Sequence, residues 1–267
     1  MADETRTWHY GLVARWWAEF NNGGPEVALF RKYIDEYGGP VLDAGCGTGR
    51  LLIPYLQSGL QVDGADASVD MLEWCRRKLL EENLEANLYP QSMHQLDLPG
   101  KYQCIINCGA FGLGGDREQD LEGLKLVYRH LNPGGAFLVD WYLPNFGQGA
   151  WQRWLPGHES DFPRPFRQAD DRKTAADGTE LEISTRRLEF DPLRQTYLAE
   201  IKIDHYEEGD LIASETSALK GNIYFMNEIV LMLRHTGFVN IRVRSPSTHE
   251  EPKPWVDSYI VFVAEKP

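Results

Sequence analysis

The sequence predicts an α/β protein: a seven-stranded, mostly parallel, doubly wound sheet with an antiparallel β insert after strand five and an N-terminal helical lid. Three observations lead to this prediction. Short apolar strands alternate with amphipathic helices over residues 40–144, which is typical of parallel sheets with right-handed crossovers. Three consecutive strand-like runs then occupy residues 180–220, as in an antiparallel sheet. The α/β pattern returns from residue 223 onwards.

Two helices are predicted before the sheet begins. Residues 7–22 place Leu12, Trp16 and Phe20 on one helical stripe, and residues 26–38 form a second helix that ends at a Gly-Gly-Pro sequence. The first strands of the sheet are then predicted over residues 41–45, 61–66, 86–92, 102–108 and 136–144. The helices between them are predicted over residues 50–59, 68–83 and 117–131.

The second half of the chain interrupts this alternation. Residues 145–178 are rich in Trp, Pro, Gly and Asp and are predicted to form a long loop. The strands of the insert are predicted over 180–190, 196–206 and 211–220, and a closing helix and two strands over 227–237, 238–245 and 258–266. The chain is thus divided into a lid, an α/β domain and an insert, with bounds of 1–39, 40–144 plus 223–267, and 145–222.

The composition disfavours several classes of function. Among 267 residues, 27 Lys and Arg stand against 40 Asp and Glu, a formal charge of −13. An acidic chain repels phosphate groups, so nucleic acids and anionic membranes are poor partners. The sequence has no apolar run long enough to cross a membrane, no signal-peptide pattern and no CxxC pair. We therefore expect a reduced, cytoplasmic protein without a metal ion.

A glycine-rich turn over residues 45–49 is the most informative segment. A strand enters the turn and a helix leaves it, so free backbone N–H groups meet at the carboxyl edge of the sheet, where glycines let a ligand approach closely. This arrangement predicts a nucleotide-like ligand. Asp66 ends the second predicted strand, where its carboxylate can accept hydrogen bonds from both hydroxyls of a ribose.

The spacing of the glycines separates two classes of ligand. Dinucleotide-binding turns have the pattern G-x-G-x-x-G, whereas this chain has G-x-G-x-G, with Arg50 in place of the last glycine. The string D-x-G-x-G-x-G over residues 43–49 resembles motif I of the class I S-adenosylmethionine-dependent methyltransferases. Asp66-Ala67-Ser68 with Met71 resembles the second motif of that family, and Leu131–Gly135 resembles its L-x-P-G-G turn.

The resemblance covers residues 26–144 and 223–264, and the insert adds a weaker architectural resemblance to small-molecule N-methyltransferases. It implies S-adenosylmethionine as cofactor, S-adenosylhomocysteine as product and no metal. The cofactor-binding residues that it implies, together with Arg15 as a partner for the cofactor carboxylate, are Asp43, Gly45, Cys46, Gly47, Arg50, Asp66, Ala67, Met71, Ser92, Met93 and Cys108. The sequence departs from the family at Gln91-Ser92-Met93, where many relatives carry an acidic residue near the adenine.

The acceptor is expected above the carboxyl ends of the fourth and fifth strands, with the insert as its roof. The residues predicted to contact it are Tyr10, Trp16, Phe111, Trp141, Tyr142 and Tyr224. Three residues are candidates for a catalytic base, namely His205, Tyr10 and Tyr142. His205 lies on the apolar face of a predicted strand, so a hydrogen-bonded core histidine is the alternative interpretation.

The function predicted from these motifs is methyl transfer from S-adenosylmethionine to an N or O atom of a small molecule, by in-line displacement. A non-catalytic module that binds S-adenosylmethionine or a nucleotide is one alternative. An NAD(P)-dependent oxidoreductase is another, which the glycine spacing disfavours. The insert has two predicted roles that can coexist: it covers the acceptor, and it mediates a homodimer.

Overall fold

The computed structural model describes residues 7–144, 151–158, 161–166 and 172–267. The start of the predicted lid and parts of the predicted 145–178 loop lie outside the described residues. The helices are α1 (Gly11–Phe20), α2 (Pro25–Tyr37), α3 (Leu52–Gln57), α4 (Val69–Glu81), α5 (Arg117–His130) and α6 (Met226–Thr236). The strands are β1 (Val41–Ala44), β2 (Val62–Ala65), β3 (Leu88–Tyr89), β4 (Tyr102–Asn107), β5 (Leu131–Tyr142), β6 (Arg172–Thr174), β7 (Glu180–Asp191), β8 (Thr196–Glu207), β9 (Asp210–Asn222), β10 (Val239–Arg244) and β11 (Tyr259–Glu265).

Seven of the described strands form one sheet in the order β10-β11-β5-β4-β1-β2-β3. Strand β1 pairs in parallel with both β2 and β4, and β11 runs antiparallel between β5 and β10. The predicted doubly wound, mostly parallel sheet is therefore confirmed. The strand order reverses at β1, which makes the carboxyl ends of β1 and its neighbours the point where α/β sheets bind ligands.

Two apolar layers cover the faces of this sheet. Buried side chains of α2, α3 and α4, such as Phe30, Leu52 and Leu72, pack on one face. Side chains of α5 and α6, such as Val127 and Leu233, pack on the other. Both faces are covered, which explains why the central strands are almost continuously apolar.

The second sheet has the strand order β6-β7-β8-β9, and α1 covers its apolar face. Ile201 and Ile203 of β8 are fully buried there against Val13, and Trp16 and Trp17 pack at the edge of the same cluster. The apolar face of the predicted insert is thus satisfied within the chain. It offers no support for the predicted homodimer.

Three boundaries differ from the prediction for local reasons. Strand β5 begins at Leu131, five residues before the predicted start, because Leu131 already pairs with Tyr102 of β4. The Pro-Gly-Gly turn, in which Gly134 has a φ of +74°, lies within the register shift between Leu131 and Ala136. Strand β3 is reduced to Leu88–Tyr89 and stops before Pro90. Strand β6 was not predicted, because its short, exposed Arg-Lys-Thr sequence carries no apolar alternation.

No helix in the described ranges is both long enough and apolar enough to span a bilayer.

Candidate active site

A cavity of about 280 Å³ opens at the carboxyl ends of β1, β2 and β4, where the strand order reverses. All the predicted cofactor-binding residues except Arg15 line it. They come from four separate segments: the glycine loop, the β2–α4 turn, the loop after β3 and the exit of β4. The sheet topology therefore brings together side chains that are distant in the sequence.

The glycine loop has a backbone conformation that side chains would obstruct. Gly45 has a φ of +95°, and a Cβ atom there would lie 2.7 Å from the Cβ atom of Ala110. Gly47 has a φ of +54°, and its Cβ would lie 3.0 Å from the Cε atom of Met71. Both positions therefore need glycine, for the left-handed backbone and for the room beside it.

Asp66 fastens the glycine loop to the neighbouring strand. Its Oδ2 atom accepts a hydrogen bond from the Gly47 N–H at 2.9 Å, and its Oδ1 atom accepts one from the Ser68 N–H at 2.8 Å. Burial raises the pKa of the Asp66 carboxyl, and these two N–H donors oppose that rise. Each carboxylate oxygen keeps a second lone pair for a ligand hydroxyl.

Arg50 and Cys108 lie at the opposite end of the loop. The Arg50 guanidinium donates to Glu26 at 2.9 Å and to the Cys108 sulfur at 3.2 Å. The Cys108 thiol lies 3.3 Å from the Asp140 carboxylate, which also accepts bonds from the Gly109 N–H and the Tyr259 hydroxyl. Burial and Asp140 raise the pKa of Cys108, so it stays a thiol. This favours a packing role for Cys108 over a nucleophilic one.

Met93 and Ser92 form the far wall of the cavity, after β3. Met93 is held by α5, where a Cβ atom on Gly123 would lie 2.6 Å from the Met93 Cε atom. Ser92 donates a hydrogen bond to Gln95 at 2.9 Å. The wall at this end is therefore apolar on Met93 and polar on Ser92, a combination that fits a flat heteroaromatic ring.

Arg15 and His205 lie away from the cavity and contact each other instead. The Arg15 guanidinium donates to Asp177 at 2.8 Å and to Thr179 at 2.6 Å, and it lies 3.3 Å from His205 Nε2. Helix α1 turns this face towards the second sheet, so the predicted cofactor contact of Arg15 is not formed. His205 is a buried, hydrogen-bonded histidine of the second sheet, and its place gives no support to a role as base.

Most of the predicted acceptor-binding side chains pack outside the cavity. Phe111, Trp141 and Tyr224 form an aromatic cluster behind its wall, with ring centroids 5.6–6.0 Å apart; Phe111 and Tyr224 are buried and Trp141 is half-buried. Trp16 belongs to the cluster between α1 and the second sheet. Exposed Tyr142 packs on the ring of Tyr259, and Tyr10 reaches the Ala67 carbonyl with its hydroxyl at 3.4 Å. Tyr10 thereby contacts a residue of the predicted cofactor site, Ala67.

The cavity wall also contains residues that the sequence prediction omits, among them His9, Trp17, Asn107 and Asp120. Asp120 could have been identified from the sequence, because it shares a helical stripe with Leu124 and Val127. That stripe places a carboxylate on the buried face of the helix. No sequence pattern indicates Trp17, because the adjacent Trp16-Trp17 pair does not show which of the two indoles reaches the cavity.

The comparisons with known proteins agree with this geometry. Residues 41–135 match the family described as Methyltransferase domain. This match is confined to the part of the chain that holds β1 to α5 and the glycine loop. The chain is also similar to a curated protein, Cypemycin N-terminal methyltransferase from Streptomyces sp., with 30% identity over 139 residues, or 52% of this chain and 55% of that protein. The chain thus matches about half the length of this relative.

Two solved structures share the fold of this chain over most of its length. An S-adenosylmethionine-dependent methyltransferase from Clostridium acetobutylicum has a TM-score of 0.71 and 16% identity, with 91% of each chain covered. The sugar N-methyltransferase KedS8 from Streptoalloteichus sp. has a TM-score of 0.67 and 15% identity, with 91% of this chain and 87% of that chain covered. The two structures confirm the predicted class I methyltransferase fold, and the family match over residues 41–135 agrees with the predicted cofactor, S-adenosylmethionine.

Proposed function

We propose that this protein transfers a methyl group from S-adenosylmethionine to an N or O atom of a small-molecule acceptor. The observation that carries the proposal is the glycine loop, which Asp66 fastens at the reversal of strand order inside a methyltransferase domain. The residues present fit the cofactor, since side chains at positions 45 and 47 would obstruct the space that it needs. When bound, the cofactor supplies an activated methyl group on a positively charged sulfur.

The protein's own residues position the reactants and exclude water in this proposal. Asp66 and the N–H groups of the glycine loop would hold the ribose and the amino-acid part of the cofactor. Met93 would lie against the adenine. His9 and Trp17 of the N-terminal segment cover the same cavity, with ring centroids 5.5 Å apart. Burial lowers the pKa of His9 to about 4, so no imidazolium opposes a cationic cofactor at neutral pH.

Methyl transfer to an acceptor tests the proposal directly. The protein is incubated with S-[methyl-¹⁴C]adenosylmethionine and a metabolite extract, and labelled products are separated by chromatography. Labelled small molecules are expected with the wild-type protein and not with a Gly47→Val variant. Cofactor binding without labelled products would favour the alternative, a non-catalytic binding module.

Asp43 should make cofactor affinity depend on pH. Burial raises the pKa of its carboxyl to about 7, so the folded protein without ligand takes up a proton there below neutral pH. This contribution to folding stability is largest at low pH and is lost as the pH rises from about 4 to about 7. A cationic cofactor favours the ionised carboxylate, so affinity measured by calorimetry should fall as the pH drops below about 7. Asp43→Asn should flatten that fall. An unchanged profile in the variant would assign the effect to another group, such as Asp66.

The N-terminal segment over residues 7–20 is proposed to act as a lid over the cofactor. The free N–H groups of α1 are satisfied by carboxylates from two different layers: Gly11 donates to Asp70 of α4 at 2.8 Å, and Leu12 donates to Glu215 of β9 at 2.7 Å. These bonds connect α1 to the α/β domain and to the second sheet at the same time.

Glu215→Gln should loosen this connection without unfolding the protein. Removing the charge from a helix N-terminus costs about 0.5–1 kcal/mol, so amide exchange over residues 11–14 should accelerate about two- to fivefold. Glu207→Gln, at the exposed end of β8, is the matched control and should leave exchange unchanged. Equal exchange in both variants would show that packing alone holds α1.

A further inference from the structure

A buried carboxylate forms part of the cavity wall at the end nearest the second sheet. Asp120 of α5 is only 6% exposed and lines the cavity. Its Oδ2 atom accepts two hydrogen bonds, from the Asn222 amide at 2.7 Å and from the Tyr224 hydroxyl at 2.7 Å. Within the described part of the chain, no donor reaches its Oδ1 atom. One oxygen is thus fixed from behind, and the other is left to accept a bond from a ligand.

A second buried acceptor lines the same cavity. The Asn107 side chain, at the end of β4, donates through Nδ2 to the Ala44 carbonyl at 2.7 Å. Its Oδ1 atom is buried and has no hydrogen-bond donor among the residues described here. Asn107 lies beside Gly45 and Met93, at the cofactor end of the cavity. A buried acceptor without a donor there indicates a ligand that brings one.

The charges around Asp120 favour a cationic donor. Arg50 is the one Lys or Arg side chain among the described lining residues, and it is held at the opposite end by Glu26. Arg117 lies behind the wall, stacked on the Tyr224 ring and bonded to the Ile223 carbonyl. Burial lowers the pKa of both His9 and His94, so neither histidine supplies a cation to the cavity at neutral pH.

We infer that Asp120 binds the amino group of the acceptor, which makes the acceptor an amine rather than an alcohol. A hydroxyl group has one hydrogen to donate, whereas an ammonium group has three and a charge that complements the Asp120 carboxylate. Burial raises the pKa of Asp120, so this carboxylate can take one proton from the bound ammonium, and the nitrogen lone pair that this frees accepts the methyl group. The inference rests on the proposed methyltransferase activity and narrows it to nitrogen. It also assigns a role to the second sheet. Asn222 at the end of β9 and Tyr224 just after it both donate hydrogen bonds to the Asp120 carboxylate.

Asn222 and Tyr224 are positioning residues for Asp120. The Tyr224 carbonyl accepts a hydrogen bond from the Trp141 indole at 2.8 Å, and its ring packs on Phe111. The aromatic cluster behind the wall thereby fixes the hydroxyl that orients the carboxylate. Phe111, Trp141 and Tyr224, which the sequence predicts to contact the acceptor, would thus affect acceptor binding by orienting Asp120.

The first test asks which atom receives the methyl group. The wild-type protein is incubated with S-[methyl-¹³C,²H₃]adenosylmethionine, a metabolite extract, and an equimolar mixture of D-glucosamine, trialanine, D-glucose and lactate. Labelled products are identified by mass spectrometry and NMR. The label is expected on nitrogen. Label on oxygen would overturn the inference and leave the proposed function standing, whereas label on carbon or no labelled product would count against the proposed function itself.

The second test uses the acceptor found in the first. Asp120→Asn keeps the shape and the bonds to Oδ2 but removes the charge, so the acceptor KM should rise at least 30-fold while the calorimetric affinity for S-adenosylhomocysteine stays within twofold. Tyr224→Phe should raise the same KM less, about three- to tenfold. Asp116→Asn, one turn away at the helix cap, is the matched control and should leave KM within twofold. An unchanged KM in Asp120→Asn, or an equal loss of S-adenosylhomocysteine binding, would overturn the assignment.

Discussion

Replacing Gly47 by Val should abolish binding of S-adenosylhomocysteine while the protein stays folded. Gly47 has a φ of +54°, and its Cβ atom would lie 3.0 Å from the Met71 Cε atom, before the two added methyl groups are counted. Those methyl groups would extend into the cavity that the loop lines. A β-branched residue in this region of backbone space also costs about 1–2 kcal/mol, which a stable domain tolerates.

The control for this variant is Gly59→Val. Gly59 has a φ of +83°, and a Cβ atom there would meet no heavy atom within 4 Å. Both variants therefore strain the backbone, but only Gly47→Val obstructs the cavity. Calorimetry should show no detectable binding to Gly47→Val and an affinity within twofold of the wild type for Gly59→Val. Tight binding to a folded Gly47→Val protein would place the ligand elsewhere.

Replacing Asp66 by Asn should weaken S-adenosylhomocysteine about 10- to 100-fold. The carboxylate holds the Gly47 N–H with one oxygen and the Ser68 N–H with the other. An amide keeps one acceptor oxygen, so one of these bonds and one ligand bond are lost together. Losing a hydrogen bond to a charged group costs about 1.5–3 kcal/mol, which corresponds to this range.

Asp63→Asn is the matched control for Asp66→Asn. Asp63 lies on β2 and is also hydrogen-bonded, to Asn87 and to Tyr102, but it is remote from the cavity. Its replacement should change stability more than affinity. Equal affinities for the two variants would show that the ribose is held by a residue other than Asp66.

The glycine loop and Asp66 could be predicted because their information is local. The turn chemistry of residues 45–49 is readable in the sequence, and parallel strands bring consecutive carboxyl ends to one edge. The same reasoning failed for Trp141, because neighbouring residues of a strand point to opposite faces. Asp140 faces the exit of β4, and Trp141 faces Tyr224.

The position of α1 could not be predicted, because it depends on contacts between distant segments. The apolar stripe through Leu12 and Trp16 and the apolar face of the β8 strand are each visible in the sequence. Nothing in either pattern indicates that the two surfaces cover each other. The pairing of Arg15 with Asp177, 162 residues further along the chain, follows from that packing and removes Arg15 from the cofactor site.

Calorimetric titration of the wild-type protein with S-adenosylhomocysteine and, separately, with NAD⁺ distinguishes the proposed methyltransferase from an oxidoreductase. The site described here predicts one binding site for S-adenosylhomocysteine, which Gly47→Val removes, and no binding of NAD⁺. Binding of NAD⁺ without binding of S-adenosylhomocysteine would contradict the account and favour an oxidoreductase.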